Sequence, residues 1–493
     1  MSENSERSGT FRRHFHNWVS WAGAVLAASA IFAFLFLLAI DLTAGERNAY
    51  VGILAYLVAP GFFVLGLVLM GLGALLHKRA ERRRGRREHH VFTIDLARPR
   101  DRRVLAFFAL GSVGFLFLTA LGSYETYHYM ETVEFCGQRC HVPMEPQFVA
   151  AQHTAHAKVL CVECHVGPGA TAYMKTKLNG VKQLYHAVKG DFDRPIFVSE
   201  ANPRPAQQIC TQCHWPEKFV GTVERTYHHF LSDETNTPFT VRLLLNVGGG
   251  DPTHGPVGGI HWHMNIANKV EYIASDEHLT KIPWVRVTNA QGLTTEYRSP
   301  EFKDDPARHK IRTMDCMDCH SRPAHKVQSP NDAVDIAMAN GRIDRTIPNA
   351  KAKLVEALTQ PYGTKPEALQ AIATSLGQAY PDPAQANPLI QQAQAIYRRN
   401  FFPEMKMDWR THPDQISHKD WDGCFRCHDG KHKTTDGQKT IAASDCRSCH
   451  IILAQGSGDQ LKQLNADGHA FIHVDSEFSD FSCAECHTGG VQK

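Results

Sequence analysis

This 493-residue chain has no cysteine that stands alone: all 14 fall in pairs, and each pair is followed at once by histidine. No thiol is left over for a disulfide framework, which would not require a histidine after every pair. Histidine, 29 in all, is nearly missing from the three long apolar stretches near the N-terminus, where His77, at the end of the second, stands alone. A redox centre held between membrane helices needs imidazoles from facing helices, so this region is not expected to move electrons across a bilayer. Charge is absent from the first stretch, and no convincing cleavage site follows it, which argues against a removed signal peptide. Beyond the cysteine motif there is no fixed-period repeat. The composition is 43% hydrophobic and 21% charged, with net charge +3 and mean hydropathy −0.31. It excludes disorder and collagen, and by itself suggests an ordinary soluble protein.

The apolar runs contradict that average. Trp18 to Ile40, Tyr50 to Leu76 and Val104 to Tyr124 are each of membrane-spanning length. Three such runs so close together form a membrane pattern rather than a set of buried core helices. Between the second and third, His77 to Arg103 holds 11 Lys and Arg against four acids. Basic loops stay in the cytoplasm, so residues 1–17 and 77–103 are expected inside and everything after about residue 125 outside. Topology and anionic lipid head groups explain the arginines better than nucleic acid does, and no nucleic-acid partner is expected. The charge is divided accordingly: residues 1–103 have 15 basic and 8 acidic side chains, and the remainder 38 and 42.

The cysteines pair in chain order: Cys136 with Cys140, Cys161 with Cys164, Cys210 with Cys213, Cys316 with Cys319, Cys424 with Cys427, Cys446 with Cys449, and Cys483 with Cys486. The histidines that follow them are His141, His165, His214, His320, His428, His450 and His487. Cys-x-x-Cys-His is the attachment motif of c-type haem. Two thiols add across the porphyrin vinyl groups, and the next residue turns its imidazole to the iron. Zinc sites would want paired Cys-x-x-Cys units or separate histidine pairs, and a thioredoxin-type dithiol would occur once. Seven copies that use up every cysteine predict seven covalent haems. The first copy has three residues between its cysteines, which should bulge the loop and displace His141. Met144 follows closely, either as a packing residue or as a thioether ligand.

If most irons are bis-histidine, six or seven further imidazoles are needed. His156, His261, His263, His325, His418, His432 and His473 are the best-placed candidates. His261 and His263 alternate on the strand-like segment from Gly259 to Met264, which would put them on one face, where they serve two haems or one of them is structural. His432 lies four residues after His428. On a helix it would share that residue's side and would have to serve a neighbouring haem.

The outer part divides by motif density. Residues 126–230 hold three motifs. Residues 231–328 form a β-rich segment with the fourth, its strand signals running from Thr237 to Val247, Val270 to Ile273 and Val285 to Thr288, with a turn at Asn289–Gly292. Residues 329–402 carry no cysteine and are expected to be helical and structural. Residues 403–493 hold the last three motifs. The expected fold is a mainly α multihaem cytochrome: three N-terminal transmembrane helices over residues 18–125, then an extracytoplasmic seven-haem domain with a small β-rich insertion.

Two stretches carry a family resemblance. Phe135-Cys-Gly-Gln-Arg-Cys-His-Val-Pro-Met-Glu-Pro, followed by His156-Ala-Lys-Val-Leu-Cys-Val-Glu-Cys-His, resembles the NapC/NirT-type membrane-anchored quinol dehydrogenases. Cys213-His-Trp-Pro-Glu-Lys-Phe, Met314-Asp-Cys-Met-Asp-Cys-His-Ser-Arg-Pro-Ala-His and Gly423-Cys-Phe-Arg-Cys-His-Asp-Gly are similar to its larger seven-haem members in metal-reducing bacteria. The resemblance covers about residues 104–493. It implies menaquinol oxidation at the outer face of the bacterial inner membrane, next to the first haem. Met144 matches the family's axial methionine and His156 a haem-ligand position. Family members place a lysine and an acid near the quinol; here Lys175, Lys177 and Asp191 flank the second motif, and Gln183 stands where some members have aspartate. The implied partners are the membrane, the menaquinol pool and a periplasmic c-type cytochrome or reductase. Simple members have one anchor helix, and this chain departs from them with three apolar runs.

Two other readings compete. A multihaem terminal reductase of nitrite or another small oxidant needs an iron with an open position. The pentahaem nitrite reductases mark theirs with Cys-x-x-Cys-Lys, which does not occur in this chain. An electron-relay anchor subunit for a separate reductase would share every motif, and only a quinol oxidation assay separates it.

Overall fold

The computed structural model describes residues 18–43, 51–52, 54–83, 97, 99–138, 141–166, 170–196, 206–215, 219–249, 258–264, 268–441, 446–474 and 483–491. The chain forms two compact units, Met1–Arg139 and Cys140–Lys493.

The first unit is built from α1 (Trp18–Thr43), α2 (Ala59–Arg83), entered through a π-helical turn at Leu54–Val58, and α3 (Pro99–Met130). Hydrocarbon leaves no solvent for backbone polar groups, so apolar runs of this length fold as helices. Among the described residues, Trp18–Ile40 and Leu54–His77 are long and apolar enough to cross a membrane. The third apolar run lies inside α3. Phe115 of α3 meets Phe34 of α1 at 5.2 Å and Phe63 of α2 at 5.0 Å. Gly23 and Gly66 let α1 and α2 touch backbone to backbone; a Cβ on Gly23 would lie 2.6 Å from the Gly66 carbonyl oxygen.

The second unit has two antiparallel sheets and a helical block. In one sheet β1 (Thr222–Phe230) pairs with β2 (Pro238–Asn246), and β2 with β7 (His450–Gly456). The other is ordered β5–β4–β3–β6, from β3 (Lys269–Ile273), β4 (Trp284–Thr288), β5 (Thr294–Arg298) and β6 (Arg312–Thr313). The expected strands in residues 237–288 are present. β1 and β7 carried no sequence signal, and β7 joins the C-terminal region to the middle of the chain.

The haem-free stretch is helical, as expected: α6 (Pro330–Ala339), α7 (Ala350–Thr359), α8 (Lys365–Ala379) and α9 (Pro383–Asn400). Their starts are written locally. Ser329, Thr364 and Asp382 cap α6, α8 and α9 through side-chain oxygens, each just ahead of a proline, and Thr364 and Glu367 form a capping box. Val334, Leu354, Leu358, Ile372, Leu376, Leu389 and Ala393 are fully enclosed in the core of this block. Asn236 clamps the β1–β2 turn onto this block. It sits at φ +48, donates to the Arg345 and Ile347 carbonyls, and accepts from the Lys351 amide. Asparagine tolerates that left-handed backbone better than most residues.

Candidate metal centres

Each of four described cysteine pairs closes one helical turn. The amides of His214, His320, His428 and His487 donate to the carbonyl of the first cysteine of their own motif, at 2.8 to 3.0 Å. The turn brings residues three and four apart to one side, gathering both thiols and the imidazole. Gly423 makes one such turn possible. It holds φ +49, and a Cβ there would lie 1.4 Å from the Ser417 carbonyl oxygen.

The expected attachment thiols are free of disulfides among the described residues: Cys136, Cys161, Cys164, Cys210, Cys213, Cys316, Cys319, Cys424, Cys427, Cys449, Cys483 and Cys486. Cys140 and the Cys446 side chain lie outside the described residues. The last two motifs differ from each other in shape. In the sixth, the turn Cys446–Ser448 passes through Cys449 straight into β7 at His450. Cys449 is half-buried, and its carbonyl accepts from the Asn246 amide at 2.8 Å, so this motif is tied to the end of β2. In the seventh, Cys483 and Cys486 are the two ends of the short helix Cys483–Cys486. Cys486 is exposed, whereas Cys483 is half-buried, so this motif keeps one thiol open to solvent.

Six motif histidines each face a second histidine from outside any motif. The ring centres are 6.0 Å apart for His214 and His156, 6.1 Å for His165 and His325, and 6.4 Å for His320 and His261. They are 5.9 Å apart for His428 and His263, 6.2 Å for His450 and His418, and 6.1 Å for His487 and His473. Two metal–imidazole bonds of about 2 Å, plus about 1 Å from each nitrogen to its ring centre, separate trans imidazoles by about 6 Å. The donor set and spacing fit one iron between each pair.

The rings are also oriented for it. Nδ1 of His261, His263, His325 and His156 lies against the backbone oxygens of Val247, Ile260, Gln147 and Pro323, at 2.6, 2.9, 3.1 and 3.4 Å. A ligand histidine gives its second nitrogen to such an acceptor, which sets the tautomer and aims Nε2 at the metal. Nδ1 of His418 and of His450 is buried without a hydrogen-bond partner among the described residues. Burial lowers the pKa of His263, His320, His418, His450 and His487, and pushes His325 down to about 4. The shift favours the neutral form of these six imidazoles, the form with the lone pair a metal requires.

Two expectations need correction. The segment around His261 and His263 is a 3₁₀ turn, Ile260–Met264, not a strand. With about three residues per turn, positions two apart point to different sides, and the two rings face two different motifs. Gly249, at φ +123, lets the backbone run against this turn, where a Cβ would lie 2.2 Å from the His261 carbonyl carbon. His432 does not fit as a ligand. Its Nδ1 meets Asp429 at 2.8 Å and its Nε2 meets the Ile282 carbonyl at 2.7 Å, so both nitrogens are committed to protein. It is a buried structural histidine that locks the fifth motif to the β3–β4 sheet.

Neighbouring motifs touch. Cys210 of the third motif and Cys316 of the fourth lie close enough for each thiol to perturb the other. Arg426, inside the fifth motif, donates to three backbone carbonyls: Gly423 at 2.8 Å, Leu279 at 2.7 Å and, in the fourth motif, Asp318 at 2.8 Å. Tyr272 of β3 donates to the Asp318 carboxylate, fixing the same turn to the sheet. Arg426 was not singled out from the sequence, because its partners are carbonyls scattered along the chain. Arg426→Met is expected to cost about 3 kcal/mol, since bonds from a charged donor to buried acceptors go unreplaced. Urea unfolding of the holoprotein followed at the Soret band checks this, and a change within about 0.5 kcal/mol refutes it.

Comparison with known proteins agrees with this chemistry. Residues 98–208 match the N-terminal region of the NapC/NirT cytochrome c family. The chain is 37% identical over 492 residues to the cytochrome c-type protein ImcH of Geobacter sulfurreducens, covering 97% of this chain and 96% of that protein. The chain belongs to the NapC/NirT cytochrome c family. No solved structure matches it. This NapC/NirT cytochrome is thus a membrane multihaem c-type protein of electron transport.

In the NapC/NirT cytochrome the first motif is set apart. The His141 side chain, like Cys140, lies outside the described residues. Met144 is half-buried on α4 (His141–Ala151), one turn along from His141. Glu145 beside it pairs with Lys365 at the start of α8, at 2.6 Å. Lys175, Lys177 and Gln183 all lie on α5 (Ala170–Lys189). At about 100° per residue, Lys175 and Lys177 point some 200° apart, so one ligand cannot meet both from one side of the helix. Asp191 follows the helix and holds His186 Nδ1 at 2.9 Å.

Proposed function

We propose that this cytochrome is a menaquinol dehydrogenase of the bacterial inner membrane, with seven covalent haems c and a haem domain in the periplasm. When bound, the haems supply one-electron carriers between quinol and a periplasmic c-type cytochrome or reductase. The observation that carries the reading is the closure of six candidate sites by facing histidine pairs. Two imidazoles per iron leave no position for nitrite or another small oxidant, which favours electron relay over terminal reduction.

On this reading each cysteine pair anchors one haem, from Cys136 with Cys140 through Cys446 with Cys449 to Cys483 with Cys486. Distal imidazoles come from His156, His325, His261, His263, His418 and His473, and Met144 serves the first site. Three apolar helices anchor the chain, and the arginines of residues 77–103 hold that loop in the cytoplasm. Lys175 or Lys177 orients a quinol oxygen. Asp191, held by His186, is the carboxylate placed to take a proton, whereas Gln183 is neutral and cannot. The test is anaerobic mixing of the purified full-length holoprotein with a menaquinol analogue, following the haem α-band. Reduction of the haems is expected. Haems that stay oxidised, yet are reduced by dithionite, overturn the quinol reading.

A further inference from the structure

Helix α5 leaves a long apolar stripe uncovered. Leu178, Val181, Tyr185 and Val188 are 66%, 65%, 55% and 81% exposed, and none of its described residues is buried. Their spacing of three, four and three puts them within an arc of about 80°, running about 15 Å along the helix. The residues bordering one side of that arc are basic. Lys189, Lys182 and Lys175 follow one another along one edge, and on the other Lys177 is followed by the half-buried Leu184. The helix contains four lysines and no Asp or Glu. Lys189 already reaches along the stripe, with its ammonium 4.6 Å from the Tyr185 ring centre.

A narrow apolar face between lysines, with an aromatic inside it, is how a helix lies in a membrane interface. The apolar side chains enter the acyl boundary, while the lysine stems run along it and carry their charges to the head groups. An ordinary protein partner would have to bury or neutralise Lys182 and Lys189 beside this stripe. Anionic phospholipid supplies the counter-charge at the right depth. The chain's own apolar helices, Trp18–Ile40 and Leu54–His77, are long and apolar enough to anchor it in a membrane. We propose that α5 is a second membrane-contact element, lying flat in an anionic leaflet through Leu178, Val181, Tyr185 and Val188. The proposal does not require menaquinol to be the substrate.

The full-length holoprotein is placed in nanodiscs of phosphatidylethanolamine and phosphatidylglycerol, the latter carrying an acyl-chain diazirine. After photolysis, the labelled residues are mapped by peptide mass spectrometry. Labels are expected on the stripe of α5 as well as on Trp18–Ile40, which serves as an internal control. V181D/V188D should reduce label on α5 at least tenfold while haem content and label on the first helix stay constant. K182Q/K189Q should reduce α5 label from phosphatidylglycerol more than from a phosphatidylcholine probe. Labelled membrane helices with an unlabelled α5 overturn the proposal, as does labelling indifferent to V181D/V188D. A stripe that stays unlabelled in the discs and is protected in detergent by a second copy or another protein also overturns it.

Discussion

Alanine at His263 is expected to convert one low-spin ferric haem to a high-spin species in the EPR spectrum and to leave the covalent haem count unchanged. The ring faces His428 at 5.9 Å, and its Nδ1 is held 2.9 Å from the Ile260 carbonyl, so truncation removes one imidazole and little else. On the proposed assignment Cys424 and Cys427 would still attach that haem, and His428 would still be available to its iron. Axial-ligand identity is the strongest protein lever on such an iron, so the lost donor should also raise that site's potential. His263→Met should restore the low-spin state, again at a higher potential than the parent. His432→Ala is the matched control. It lies only four residues from His428, but both its nitrogens bond to protein. It should leave every spin state unchanged and cost about 1–3 kcal/mol of stability, as a buried hydrogen-bonded group does. A high-spin signal from His432→Ala, or none from His263→Ala, would reverse the assignment.

The largest stability loss is expected at Lys351, which is buried in α7. Its ammonium meets the equally buried Asp335 carboxylate of α6 at 2.6 Å and the Phe230 carbonyl of β1. Asp335 also accepts from the Phe230 amide and pairs with His229, each at 3.2 Å. Lys351→Met keeps the side-chain volume and strands a carboxylate in the core, a change that costs about 3–5 kcal/mol. The double variant D335N/K351M removes the stranded charge and should recover part of that loss. Urea midpoints of the holoprotein check both. A Lys351→Met midpoint equal to the parent's would mean that the pair contributes nothing net. The sheet anchored here contains β7, which begins at His450 next to Cys449, so haem content at the sixth motif should fall with it.

Local chemistry was legible in the chain wherever a short stretch contains its own explanation. The cysteine motifs are five or six residues long. The caps of α6, α8 and α9 sit within three residues of the groups they satisfy. The apolar runs declare helices because hydrocarbon allows little else. Six histidines chosen as distal candidates do face motif histidines, yet nothing local distinguishes them from His432, which does not. The cases with the clearest reason differ in reach. His432 fails because Ile282, 150 residues away, takes its Nε2. His261 and His263 face different motifs because they lie on a 3₁₀ turn, against which the backbone at Gly249 is closely packed. The motifs ending at Cys449 and Cys486 read alike in sequence, but only the first runs into a strand, because β2 is there to pair with it. β7 went unread because its pairing partner, β2, lies some 200 residues away, whereas β1 pairs with β2 across a short turn but is exposed along most of its length and so shows no buried face.

The sequence by itself determined how many haem attachment motifs the chain carries, where each lies, the signs of charge on its two parts, and the apolar helices at its N-terminus. All of these are properties of covalent neighbours or of composition. The tertiary structure alone decided which imidazole faces which motif, which motifs touch, and which face of α5 is left bare. Those depend on contacts between residues tens to hundreds of positions apart. His165 and His325 are 160 residues apart in the chain, and they meet at 6.1 Å only because the fold closes between them.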